Sequence, residues 1–291
     1  MISIGTSTLF RSRNETNAKR SAADRPARPR TGRATFLNAL HAEYIKLRTL
    51  RSALYVVLGT IAVGAAIATL VCSSAADEYA TLSAADKSTF DPLALSLRGY
   101  MMTQVTIALL GGMTITAEYG SRTVVSTLTA VPHRSRVLAA KAVVLAEVTF
   151  VTGLLFTLAG FLAGQAALGS GGVPHLALSA PSAWRGIIGG ALFLMLAGLL
   201  GLALGTLIRS TTATVTTLFA LFLIVPAFVP ALPGALSDWT GRYWPPSAGG
   251  QIMTGYQDPA LLHPWPGLSV LAGCVTLVLA AAFVVFRKRD A

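Results

Sequence analysis

The stretch Trp184–Ile208, WRGIIGGALFLMLAGLLGLALGTLI, decides the kind of fold, because it carries no charged side chain from Gly186 to Ile208. It exceeds the ~20 residues that a helix needs to cross the hydrocarbon core of a bilayer. Outward from it the same pattern recurs near Ser52–Cys72, Tyr100–Ala117, Ala142–Gly164, Thr211–Ala231 and Trp265–Phe286. No charge interrupts the chain between Glu147 and Arg185, and Gly169-Ser170-Gly171-Gly172-Val173-Pro174 divides that interval into two helices. Composition agrees. The chain is 53% hydrophobic and 12% charged, about half the charge of a soluble domain, and its mean hydropathy is +0.63.

Lysine and arginine set the orientation. Nineteen of the 23 fall in the arm up to Arg51, the Glu118–Lys141 connection, Arg209 and Arg287-Lys288-Arg289. These places share one side of a six-span path, and short basic connections stay cytoplasmic. Both termini are therefore expected in the cytoplasm, in a multi-pass protein of the cytoplasmic membrane. The other side mixes Lys87, Arg98, Arg185 and Arg242 with Asp77, Glu78, Asp86, Asp91, Asp238 and Asp258. The net charge of +11 follows from this bias and from a basic arm drawn to anionic membrane lipids, so no nucleic acid is expected as a partner. Cys72 and Cys274 fit no metal or redox spacing.

Residues 1–33 are basic and rich in proline, serine and alanine, without the ~7–15-residue apolar core of a signal peptide. They read as a disordered basic cytoplasmic tail, and 34–291 as one six-span unit. Phe36, Leu40, Tyr44 and Leu47 recur at helical spacing, with Glu43, Lys46 and Arg48 mostly on the remaining faces. An apolar stripe beside a basic face suits a helix lying in the membrane interface. This elbow helix feeds the first span; docking against soluble protein is the alternative. Gly160/Gly164, Gly186/Gly190 and Gly201/Gly205 predict close backbone packing within one subunit. In the last outer connection, Pro233, Pro245, Pro246, Pro259 and Pro264 alternate with Trp239, Tyr243, Trp244 and Tyr256. They predict a broken, re-entrant segment at the outer face.

Chemistry narrows the function. His41, His133, His175 and His263 all fall outside the spans, and neither H-E-x-x-H nor G-x-S-x-G occurs, so no catalytic residue and no metal site is expected. No G-x-x-x-x-G-K-[ST] phosphate loop occurs either, which leaves the chain without an ATP site of its own. Glu147 lies about 9 Å into the third span at 1.5 Å per residue. It is the acidic candidate for ion coupling. The residues leave two readings open: a substrate or ion ligand aided by Thr103, Gln104 and Thr106, or an ion pair near the inner rim with Lys141 or a loop arginine.

The most specific passage follows the second span. It runs Ile115-Thr116-Ala117-Glu118-Tyr119-Gly120-Ser121-Arg122-Thr123, then Thr127-Leu128, Val131-Pro132-His133-Arg134-Ser135-Arg136 and Ala140-Lys141. Val124, Val125 and Leu128 keep apolar character along about one helical turn, which fits either a ridge offered to a soluble partner or a solvated connector. Two further passages are Glu43-x-x-Lys46-Leu47-Arg48-Thr49-x-Arg51-Ser52 before the first span and Pro245-Pro246-Ser247-Ala248-Gly249 before the last. As a set, over about residues 36–289, they resemble the membrane permeases of ATP-binding-cassette exporters of the second ABC exporter family, in their bacterial single-domain form. Arg122 stands where that family often carries glycine, with Gly120 as the permissive position nearby.

The resemblance implies an all-α polytopic membrane protein: six transmembrane helices, the elbow helix, and a short cytoplasmic coupling helix within about 121–132. It implies docking of that helix in a groove of a separate ATPase subunit, through Glu118, Tyr119, Arg122, Thr123, Thr127, Leu128, Pro132, Arg134 and Arg136, with Glu43, Lys46 and Arg48 of the elbow alongside. It further implies a permease homodimer or heterodimer, ATP bound by the partner and no cofactor of this chain's own. Spans one, two and five line the path in the family; here Tyr55, Gln104, Thr214 and Thr217 join Glu147 as pathway candidates. Two rival classes remain: an ion-coupled secondary transporter depending on Glu147, and a non-transporting membrane scaffold or sensor. The cargo is not legible, because fold does not fix it.

Overall fold

The computed structural model describes residues 36–49, 51–120 and 134–288. Helix α1 spans Phe36–Thr49 and α2 spans Arg51–Glu78. Two short helices follow, α3 at Ala84–Ser88 and α4 at Pro92–Leu97. Next come α5 at Tyr100–Gly120, α6 at Arg134–Ser170 and α7 at Pro181–Ile208. Helix α8, Thr211–Phe219, runs through a π turn at Ala220–Ile224 into α9 at Val225–Phe228. Helices α10 (Gly234–Tyr243) and α11 (Pro245–Gly250) precede the last long helix, α12, at Pro264–Lys288. Among the described residues six helical stretches are long and apolar enough to cross a membrane, and no strand occurs.

The spans lie where the charge gaps put them, but the helices run further. Helix α6 has 37 residues, about 55 Å at 1.5 Å per residue, against a hydrocarbon core of ~30 Å. Hydropathy marks only the part of a helix that lipid can cover. The chain stays helical through Lys141 on one side and Gln165 on the other until the glycines after Ser170 release it; Gly172, at φ +69°, takes the left-handed turn.

Helix α7 is the hub. Its apolar stretch is 67% buried, against 17% for α2 and for the α8–α9 span. A helix apolar on every face belongs inside a bundle. Its glycines decide how near its neighbours come: Gly198, Gly201 and Gly205 meet Ala108, Gly111 and Gly112 of α5. A Cβ added at Gly201 would overlap the Ala108 carbonyl, so backbone lies on backbone. The other pairs are also used within the subunit, Gly160 and Gly164 against Ser96, and Gly186 against Leu93.

We refer to the end carrying α1, Lys141 and Arg209 as the basic end and to the other as the distal end. At the distal end the connections are stapled to each other. Asp91 Oδ1 accepts from Leu93 N and Ala94 N at 3.0 Å, capping α4, while Oδ2 accepts from Gly255 N at 2.6 Å and Tyr256 N at 2.9 Å. Gln165 Nε2 donates to the Pro92 carbonyl and to Ser96 Oγ, and its Oε1 accepts from Leu176 N. The expected broken segment is two short helices, and the second enters the bundle. Pro246, Ala248, Gly249, Gly250, Ile252 and Met253 are buried, with Gly249 set against Leu271 and Phe193.

That segment also explains the π turn. Val225 N–H reaches back to the Ala220 carbonyl, and Pro226, five residues after Leu221, has no N–H. The Leu221 carbonyl thus loses both intrahelical donors and accepts instead from Trp244 Nε1 at 3.0 Å. Trp244→Phe should cost about 1–3 kcal/mol by leaving this carbonyl unmet. Thermal unfolding in detergent should show a lowered midpoint, with Trp239→Phe, at a 60% exposed position, unchanged.

Candidate functional site

Three segments far apart in sequence converge at the basic end on one ammonium group. Lys141 Nζ donates to Glu43 Oε2 at 2.9 Å and to Glu118 Oε1 at 2.9 Å. The side chains are 5%, 11% and 17% exposed, respectively. Each carboxylate comes from a different helix, Glu43 from α1 and Glu118 from the last turn of α5, while Lys141 lies two turns into α6. A carboxylate in a helix's last turn opposes the helix dipole, and Lys141 offsets that conflict. Burying a single charge is costly, and partners with good geometry offset the cost. The triad therefore specifies how α1, α5 and α6 meet.

Tyr119 continues the cluster. The Arg209 guanidinium lies over its ring, 5.2 Å from the centroid, a cation–π contact. Arg209 is the left-handed C-cap of α7, at φ 58°, and its N–H closes on the Gly205 carbonyl. The turn between the fourth and fifth spans is thereby tied to the end of α5. Lys141 and Arg209 together connect α1, α5, α6 and α7 around the two ends of the 121–133 segment.

Several expectations change. Glu43, expected mostly on the polar face of α1, turns inward to Lys141, while Phe36 and Tyr44 remain exposed. Glu147 does not pair with Lys141: six residues on, it is turned by about 120° around the helix, and Lys141 is held by other carboxylates. Glu147 is exposed on α6, in one stripe with Val143, Val151 and Leu155. Arg136 is also exposed. Arg122, Thr123, Thr127, Leu128 and Pro132, with the expected coupling helix, lie outside the described residues, as do the side chains of Lys46, Arg48 and Arg134.

The pathway candidates separate. Tyr55, 70% exposed on α2, and Thr217, exposed on α8, face away from the bundle. Thr214 is buried; its hydroxyl donates to the Ser210 carbonyl at 2.7 Å, and its methyl group faces Gly112. It packs α8 onto α5. Gln104 lines a cleft of about 410 Å³ between α5, the π turn and α11. A second cleft, about 500 Å³, opens at the distal end beside Glu78, Asp91 and Arg98 and shares Tyr100, Met101 and Gln251 with the first.

Lys141 as the hub was missed because its partners are 98 and 23 residues away. No local spacing announces such a triad. A carboxylate at the wrong end of a helix, Glu118, was the available signal. Among known families, a model described as ABC-2 family transporter protein matches residues 39–227, well over half of the chain and all of the triad. No curated protein matches the chain.

Proposed function

Because the chain belongs to the ABC-2 transporter family and is a multi-pass membrane permease, we propose that it exports a substrate across the cytoplasmic membrane with energy from a separate ATPase subunit. In this reading both termini and the basic end face the cytoplasm, as the lysine and arginine bias favours. In the same reading, the coupling helix expected within about 121–132 grips the ATPase. Two permeases, identical or different, pair in the working exporter. The weak coverage of α2 and of the α8–α9 span within the subunit supports pairing along those helices.

The observation that carries this reading is the Glu43–Lys141–Glu118 triad. The ATPase-facing segment is flanked by α5 and α6, and the triad joins both of them to α1. Movement of the ATPase subunits is thereby passed to the elbow and to two spans at once. ATP binds to the partner, and the chain's part is mechanical.

An ion-coupled secondary transporter is less well supported, because Glu147, its required carboxylate, lines neither cleft. The reading is tested at the basic end. Combined Arg134→Glu and Arg136→Glu should reduce the ATPase retained on membranes by about tenfold, equivalent to roughly 1.4 kcal/mol, with the permease still inserted. Undiminished co-purification of the ATPase would count against it, and would favour a scaffold or sensor only if vesicles carrying the purified pair move no cargo.

A further inference from the structure

A separate groove of about 410 Å³ lies between α2 and α4. Its walls change character along α2. Leu70 and Val71 lie inside the helix's charge-free stretch, which ends at Ala76, and Leu95 of α4 extends the apolar lining. Ser74, Glu78 and Arg98 supply the polar part. From Leu70 to Glu78 the helix rises about 12 Å at 1.5 Å per residue. The groove thus joins a charged rim at the distal end to the hydrocarbon. None of its lining residues comes from the fifth span, the π turn or α11.

Two opposite charges stand at that rim without meeting. Glu78 and Arg98 are both exposed, and both line the groove. Among the described residues no ion pair joins them, and the Arg98 guanidinium has no acceptor. Asp91, the other carboxylate near Arg98 in the distal cleft, is taken up by four backbone N–H groups. The Glu78 carboxylate accepts only from Ser74 Oγ, at 3.5 Å, which is long for a hydrogen bond. Glu78 also ends α2, where a carboxylate opposes the helix dipole and a cation beside it offsets the conflict. An arginine fork matches phosphate oxygens. The groove therefore presents, in order, a place for an anion, a place for a cation, and an apolar trough. A purely anionic headgroup would be repelled by Glu78, and a purely cationic one by Arg98.

We propose that the groove between α2 and α4 holds one zwitterionic phospholipid of the leaflet at the distal end. Its phosphate lies on Arg98, its ammonium group on Glu78, and one acyl chain over Leu70, Val71 and Leu95. The lipid is a standing component that fills the space between the two helices, not cargo. Its binding is independent of the export reading and of which leaflet the distal end faces.

The test uses the full chain purified in maltoside detergent and three photoreactive probes with identical acyl chains, one chain bearing a diazirine. The probes are a phosphatidylethanolamine, a phosphatidylglycerol and a diacylglycerol. The ethanolamine lipid should label the peptide containing Leu70–Ala75 saturably, with an apparent affinity about threefold above the glycerol lipid, the size of one exposed ion pair. The glycerol lipid should exceed the diacylglycerol by about tenfold, the worth of a charge-assisted contact to phosphate. Glu78→Gln should make the two phospholipids equal. Arg98→Gln should remove the advantage of both over the diacylglycerol. Both positions are exposed, so neither substitution disturbs the core. Ala75→Trp, which fills the groove, should suppress all three probes. Equal labelling by the three probes, a preference for the glycerol lipid over the ethanolamine lipid, or preferences unmoved by Glu78→Gln and Arg98→Gln would overturn the proposal.

Discussion

Lys141→Met should cost the folded protein about 3–5 kcal/mol, the penalty for breaking a buried ion pair by removing one partner, and should abolish permease-dependent ATP hydrolysis in a reconstituted complex. The substitution keeps the side chain's length and apolar stem but removes the ammonium group between Glu43 and Glu118, each 2.9 Å from it. Two carboxylates, 11% and 17% exposed, then lose the ammonium group that they share. Folding and coupling are separated by a neutral set. Lys141→Met combined with Glu43→Gln and Glu118→Gln removes the two charges that faced the lost ammonium group, so the thermal midpoint should rise above that of Lys141→Met. ATP hydrolysis should not return with it, because the charged tie from α5 and α6 to α1 is still missing. Full recovery of hydrolysis in the triple variant would show that the triad holds the fold and transmits nothing.

Gly201→Ala should be the most damaging single methyl group in the bundle. The added Cβ overlaps the Ala108 carbonyl, and Gly112 N lies 3.0 Å away, so the obstacle is backbone and not a side chain that can rotate. Overpacking a tight interior costs about 1–3 kcal/mol; a backbone obstacle belongs at or above the upper end, since α5 and α7 must part along their length. We expect loss of the monodisperse species in detergent, or a strongly lowered unfolding midpoint. Gly59→Ala and Gly273→Ala provide the controls, because a Cβ at either position meets nothing within 4 Å. Equal tolerance at all three positions would contradict the glycine seam as the bundle's organising contact.

Legibility in the sequence followed the range of the physics. The spans were readable because a charge-free run longer than the bilayer has few other uses, as in Trp184–Ile208. The ends of α6 were not, since helix propensity continues past the lipid boundary and hydropathy stops reporting there. Trp and Pro marked the broken distal segment, but not that Trp244 would serve a carbonyl on α9's approach, which depends on where Pro226 falls in a π turn. At the basic end, Glu118 and Tyr119 were singled out from the connecting passage and do sit in the cluster. Its centre, Lys141, was read as the end of the connection and as one possible partner of Glu147, not as a hub. For Glu147 two readings stayed open, a substrate or ion ligand and an ion pair with Lys141 or a loop arginine; the helix turns it away from Lys141.

The most direct test of an ATP-driven permease gripped at its basic end is site-specific crosslinking. A photoreactive amino acid at Leu128, in the purified permease reconstituted with the ATPase subunit, should crosslink to that subunit, and the yield should change between ATP and ADP. This nucleotide-dependent crosslink should be lost on Lys141→Met. A Leu128 reached by membrane-impermeant reagent from outside intact cells, with no crosslink to the ATPase in either nucleotide, would contradict it.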